Sequence, residues 1–217
     1  MKSVLITGGT VRLGKAIAER LKTEGWRVIT SSHRAGAGAD IVADLGEPMG
    51  PVKLYAAALK ILGGNPPDAL VNNAALFTGD AAAIAAVNLE SPKKLTMLMA
   101  GRETGVGAIV NILDTKVLDA YRRFSTPTDA YLTSKRELAA FTRSSAATFA
   151  ATLRVNGVAP GPVMAPTDVH EQAGEMLLDR RPTADDVAAA VSYLLAAESV
   201  TGAILPVDAG QHLMSEE

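Results

Sequence analysis

Seven short apolar runs alternate with helix-like stretches along this 217-residue chain. The runs are Ser3–Thr7, Arg27–Thr30, Ile41–Ala43, Ala69–Val71, Ala108–Leu113, Leu153–Asn156 and Ala203–Val207. Helical patterns fall at Leu13–Glu24, Val52–Leu62, Ala85–Ala100, Ala130–Ala150 and Ala184–Ala197. A strand that runs parallel to its predecessor needs a long crossover, and a helix supplies it. The alternation therefore predicts an α/β fold, a parallel sheet with helices on both faces. In such sheets ligands bind beyond the carboxyl ends of the strands. The two least regular stretches, Asp114–Asp129 and Gly161–Arg181, both follow a strand and can reach that edge.

The length suits one domain, with no linker and no internal repeat. The chain has no cysteine, which excludes disulfides, thiolate catalysis and zinc–sulfur sites. A formal net charge of -2 gives no case for nucleic acid or an anionic membrane surface. No apolar run is long enough to span a bilayer. Met1-Lys2 leads straight into the first strand with no leader pattern, so a cytoplasmic protein is the expectation.

Thr7-Gly8-Gly9-Thr10-Val11-Arg12-Leu13-Gly14 lies between the first strand and the first helix. A strand, a glycine turn and a helix N-terminus bring backbone N–H groups onto a pyrophosphate. Gly8, Thr10, Arg12, Leu13 and Gly14 are the candidate contacts, with Arg12 where many such loops carry glycine. The second strand should end at the adenosine ribose. An acidic residue there would bond the 2′-hydroxyl, but this chain offers Ser31-Ser32-His33-Arg34. The Arg34 fork matches a 2′-phosphate, which favours NADPH over NADH; the other reading is a solvated turn residue. Asp44 and Leu45 follow the third strand as candidates for the adenine. Asn72-Asn73-Ala74-Ala75 follows the fourth, where small residues permit close approach of a cofactor.

Tyr131 and Lys135 stand four apart on a helical stretch and so share one face. A nearby ammonium favours the phenolate, which makes the pair a plausible acid/base unit. Taken alone, such a pair is more often an exposed helix face. No second ligand stands near His170 or His212 at a metal-site spacing. Trp26 is expected to pack where the second strand begins, and Asp185-Asp186 to open the last helix.

Taken in order, the glycine loop, Asn-Asn-Ala, Val87-Asn88-Leu89, Tyr-x-x-x-Lys, Arg154-Val155-Asn156 and Pro160-Gly161 strongly resemble the short-chain dehydrogenase/reductase family. The resemblance covers nearly the whole chain. It implies a single Rossmann-type, doubly wound sheet of seven strands over residues 1–217. Tyr131 would be the proton donor. Lys135 would hold the nicotinamide ribose and tune Tyr131, and Asn88 would carry a proton-relay water. Asn73, Ala74, Ala75, Pro160 and Gly161 would border the cofactor. The family also implies a homotetramer or homodimer built through the long helices after strands four and five.

One position departs from the family. A serine usually follows the fifth strand and donates to a substrate carbonyl; here the residue is Asp114. An ionised carboxylate has no proton to donate and repels an alkoxide. Reduction of a C=N bond is different, because the nitrogen left behind needs a proton. Pteridine reductases, and the bacterial dihydromonapterin reductases similar to them, share this aspartate, the arginine in the glycine loop and the His-Arg pair. Many carry an aromatic residue at the position of Phe77. The resemblance implies that Phe77 and the nicotinamide sandwich a pterin, with Arg12, Asp114 and Tyr131 around it. The expected function is NADPH-dependent reduction of a dihydropterin of the dihydrobiopterin or dihydromonapterin type.

Other readings stay open. Phe77 could be core or lid packing, and Asp114 a turn cap. The Asp114–Tyr131 loop is about four residues longer than the family expectation, so Asp119 or Asp129 could be the nearer carboxylate and Tyr121 a nearer phenol. Ala35 replaces a frequent serine, and the Phe77–Asn88 segment is short. A carbonyl or quinone reductase is the alternative enzyme, and a non-catalytic NADPH-binding regulatory protein the alternative of another class.

Overall fold

The computed structural model describes residues 1–103, 105–118, 129–163 and 176–214. The strands are β1 (Ser3–Ile6), β2 (Arg27–Ser32), β3 (Ile41–Val42), β4 (Ala69–Asn72), β5 (Gly107–Ile112), β6 (Leu153–Pro160) and β7 (Ile204–Val207). They form one seven-stranded sheet in the order β3-β2-β1-β4-β5-β6-β7, and every pairing is parallel. The order reverses between β1 and β4, which opens a crevice at their carboxyl ends.

The helices are α1 (Arg12–Thr23), α2 (Gly50–Ile61), α3 (Ala81–Ala85), α4 (Ser91–Ala100), α5 (Ala130–Thr148) and α6 (Ala184–Ala196). Successive strand residues face opposite sides, and the core divides accordingly. Val4, Ile6, Val71 and Val110 pack with Ile17 and Leu21 of α1 and Val187, Val191 and Leu194 of α6. Leu5, Leu70 and Ile109 pack on the other face with Leu54 of α2 and Leu95 and Met99 of α4. Fully burying each such side chain contributes roughly 1.5–3 kcal/mol. Trp26 packs against the first of these clusters. Asp186 completes a capping box with Thr183 at the start of α6.

One helix differs from the sequence expectation. The stretch expected over Ala85–Ala100 starts four residues earlier, at Ala81, where the Asp80 side chain accepts from the N–H groups of Ala82 and Ala83. It then passes through a π turn, Ala86–Glu90, before α4. Pro92 lies just beyond, in the first turn of α4. It has no N–H to return to the carbonyl of Asn88 four residues back. Among the described residues, no helix is long and apolar enough to cross a membrane.

Candidate active site

The glycine turn is locked from two sides. Gly8 has φ +63, in the left-handed region that suits glycine. A Cβ on Gly14 would lie 2.1 Å from the Gly8 carbonyl oxygen and 2.6 Å from Asn73 Nδ2. The start of α1 therefore reaches the turn only because residue 14 has no side chain. Just past β4, Asn73 Nδ2 donates to the carbonyls of Thr7 (2.9 Å) and Gly8 (3.1 Å). Thr7 Oγ1 accepts from the N–H groups of Asn73 (2.9 Å) and Ala74 (3.0 Å). Asn73 thus braces the turn itself.

The first turn of α1 has no side-chain cap and no acidic residue, whereas α5 is capped by Asp129 and α6 by Thr183. An uncapped N-terminus keeps its N–H groups and positive dipole end for an anion. Arg12, exposed, adopts φ +49, a conformation that costs a non-glycine residue roughly 1–2 kcal/mol. The turn fits a dinucleotide phosphate. Thr10 is half-buried beside it. Leu13 is partly buried against the α1/α6 core.

At the end of β2, His33 and Arg34 are exposed, and Arg34 Nε donates to His33 Nε2 at 3.1 Å. Asp44 is exposed, and its Oδ1 accepts from the Gly46 N–H at 2.8 Å. The Leu45 side chain is 8% exposed within the core cluster of Ile41, Leu54 and Tyr55, which leaves its backbone to border an adenine. The reason is that a leucine just past β3 gains more from the α2 core than from a solvent-lined cleft. Ala74 packs on that same core, while Ala75 is exposed. Pro160 ends β6, and the Gly161 N–H donates to the Val207 carbonyl at 3.0 Å.

Tyr131, Asp114 and Lys135 meet at the end of β5 and the start of α5. Tyr131 Oη donates to Asp114 Oδ2 at 3.1 Å. Asp114 Oδ1 accepts from the Lys116 N–H at 2.9 Å and caps a short 3-10 turn, Thr115–Val117. Asp114 is therefore both a cap and a partner of Tyr131. Burial raises its pKa, against the opposing pull of Lys116, Tyr131 and Lys135. Lys135 is 3% exposed, and its Nζ donates to the Ile112 carbonyl at 2.8 Å. Burial lowers its pKa to about 8, with the nearby Asp114 drawing it back up. Its Nζ stands 5.8 Å from the centre of the Tyr131 ring.

Phe77 lies against this group, its ring centroid 4.8 Å from that of Tyr131 at 60°. At 51% exposure it is not a core residue. Asn88 is buried, and its side chain is committed. Its Oδ1 accepts from the Leu76 N–H, and its Nδ2 donates to the Leu76 carbonyl and to Ser134 Oγ. Asp129 caps α5 through the Leu132 N–H and is not the carboxylate on Tyr131. Asp119, Tyr121 and His170 lie outside the described residues. Among the described residues no group of His, Asp and Glu could hold a metal ion.

Two parts of the site make contacts that the sequence did not foretell. One is Thr7, whose place at the end of β1 was the available signal. The other is a cluster of Thr115, Asp208 and His212, in which the Asp208 carboxylate accepts from Thr115 Oγ1 and from the His212 N–H.

The family model described as Enoyl-(Acyl carrier protein) reductase matches residues 11–212. The chain belongs to the short-chain dehydrogenase/reductase family. Among solved structures it is similar to FolM Alternative dihydrofolate reductase 1 from Brucella canis, complexed with NADP. That likeness has a TM-score of 0.85 and 31% identity, covering 100% of this chain and 96% of the other. Protein FixR from Bradyrhizobium diazoefficiens is 31% identical over 98% of this chain and 87% of its own length. Dihydromonapterin reductase from Escherichia coli is 29% identical over 97% of this chain and 96% of its own length.

Proposed function

We propose that this protein is an NADPH-dependent reductase that converts a dihydropterin to the tetrahydropterin at a C=N bond. The observation that carries the reading is the hydrogen bond from Tyr131 to a half-buried Asp114, whose pKa desolvation raises, where a carbonyl reductase of this fold needs a donor. The likeness to the Brucella and Escherichia coli reductases supports it.

The cofactor would sit on the glycine turn, with Gly8, Thr10, Arg12 and Gly14 at its pyrophosphate and the backbone of Leu13 beside them. His33 and Arg34 would meet the 2′-phosphate, Asp44 the adenine side, and Asn73, Ala74, Ala75, Pro160 and Gly161 the remainder. When bound, the nicotinamide supplies a hydride to carbon. The rest of the reaction is a proton delivered to nitrogen, and the residues of this chain provide it. Burial keeps a proton on Asp114 to higher pH than an exposed carboxyl would hold one. Tyr131 and Asp114 share that proton across their hydrogen bond and present it to the nitrogen. The Lys135 charge favours the phenolate form of Tyr131 as the proton leaves. Asn88 would carry the water that returns a proton from solvent. Phe77 and Arg12 would hold the flat ring, Phe77 by stacking on its face.

Steady-state kinetics on Tyr131→Phe test this reading, with NADPH and dihydromonapterin as substrates. The expected result is a fall in kcat of about a hundredfold or more, with NADPH affinity by calorimetry within about threefold of the parent. Normal turnover in Tyr131→Phe would remove the phenol from the mechanism.

A further inference from the structure

We infer that Asp208 is a positioning residue for the Asp114–Tyr131 pair and acts on it through Thr115. The inference rests on the reading that Asp114 and Tyr131 handle the proton. Asp208 directly follows β7 and is 3% exposed. A buried carboxylate is costly unless its lone pairs are met, and here they are. Its oxygens accept from Thr115 Oγ1, from the Gly210 N–H at 3.0 Å and from the His212 N–H at 2.8 Å. His212 Nδ1 stands 2.8 Å from Oδ2.

The backbone is bent to make this arrangement. Ala209 has φ +57 and Gly210 φ +82, so two consecutive residues are left-handed and one of them carries a Cβ. An alanine stays in that region only when its surroundings hold it there. The turn wraps around the Asp208 carboxylate and delivers two N–H groups to it. Gly161 closes the other side: a Cβ there would lie 2.7 Å from Asp208 Cβ. One side chain thus joins the ends of β5, β6 and β7.

Its reach to the chemistry is one residue long. Thr115 immediately follows Asp114 and is 2% exposed. Asp114 is extended, with φ -150 and ψ 142. Its own side chain is divided between the Lys116 N–H and Tyr131. With Thr115 fastened to Asp208, the peptide that carries Asp114 cannot turn without breaking a buried hydrogen bond. A small rotation there would carry Oδ2 out of reach of the phenol, and misplacements of about 1 Å cost about a hundredfold in rate.

Thr115→Val deletes the hydroxyl and keeps the shape, Thr115→Ser restores the hydroxyl, and Asp208→Asn keeps the volume without the charge. Each is compared with the parent for kcat and KM on dihydromonapterin with NADPH. Each is also labelled with 13Cζ-tyrosine, and the Tyr131 resonance, assigned by its loss in Tyr131→Phe among the four tyrosines, is titrated by NMR. Thr115→Val should lower kcat by about tenfold or more with KM within about threefold. It should also move the Tyr131 titration by about half a pH unit or more. Thr115→Ser should lie within about twofold of the parent in kcat. Should the valine variant not fold, Asp208→Asn is read by the same criteria. Parent-like kcat and an unmoved Tyr131 titration in Thr115→Val would overturn the inference, as would equal losses in the valine and serine variants. If the parent itself does not turn over the pterin, the substrate reading fails, and the titration, which needs no substrate, still decides the role of Asp208.

Discussion

Asp114 and Lys135 are neighbours whose burial acts in opposite directions on their charges. Burial favours the neutral acid on Asp114 and the neutral amine on Lys135. Asp114→Asn keeps the volume and an acceptor for Tyr131 but cannot cycle a proton. It should lower dihydropterin turnover by about a hundredfold while leaving NADPH affinity within about threefold, read by stopped-flow absorbance and calorimetry. Asp114→Ser should instead raise the ratio of ketone to pterin turnover, measured on paired substrate panels, because a hydroxyl can donate to a carbonyl oxygen. Lys135 makes a separate prediction about stability. Its folded pKa is about 8 against the ordinary lysine value of 10.5, so between those values the unfolded chain binds more protons. Its contribution to stability therefore rises as pH climbs from about 8 to 10.5. In urea unfolding, the parent should gain on Lys135→Met over that window; a constant difference would contradict the shift.

At the scale of elements, the glycine turn and α1 make the sharpest demands. Gly14→Ala places a Cβ 2.1 Å from a backbone oxygen, so α1 must withdraw from β1. Overpacking of this kind costs roughly 1–3 kcal/mol, and the cofactor cradle opens with it. A lowered melting temperature together with weakened NADPH binding is expected, and parent-like binding would show that the cradle tolerates the shift. Arg12→Gly relieves the left-handed φ of residue 12, worth roughly 1–2 kcal/mol, less up to about 1 kcal/mol for the added freedom of the unfolded chain. Stability should hold or rise while NADPH affinity falls. The strands were legible because each carries a compact apolar run, and a strand forms at each of the seven, with β6 continuing past Asn156 to Pro160. The early start at Ala81 and the π turn were not, because an alanine-rich run has no period to mark its phase and the effect of Pro92 is felt several residues upstream. Tyr131, Lys135 and Asp114 were legible as an ordered set of motifs. Their meeting depends on β5 and α5 converging, as the hydrogen bond from Tyr131 to Asp114 shows. The direction of the Leu45 side chain was not legible, because a residue just past a strand can face cleft or core and only the packing of α2 decides. The Thr115–Asp208 bond joins residues 93 apart in sequence, a separation over which local patterns carry no signal.

For the whole molecule, the sheet order gathers every candidate group at one edge. The glycine turn after β1, the Asn-Asn-Ala loop after β4, Asp114 after β5 and Gly161 after β6 all stand at strand carboxyl ends. The assembly state belongs to this scale as well. Met97 on α4 is 60% exposed, on one of the two helices through which a dimer or tetramer is proposed. Light scattering should give a multiple of the 22.5 kDa chain, and Met97→Glu should reduce it; a monomer in both would count against assembly through α4. The central claim joins a cofactor to a substrate class, and one assay addresses both. Purified protein is mixed with 7,8-dihydrobiopterin or dihydromonapterin and either NADPH or NADH, and the loss of reduced-nicotinamide absorbance is followed. Rapid oxidation of NADPH, with NADH much slower, is the predicted result. NADPH that binds by calorimetry yet is not oxidised by either pterin would contradict the account.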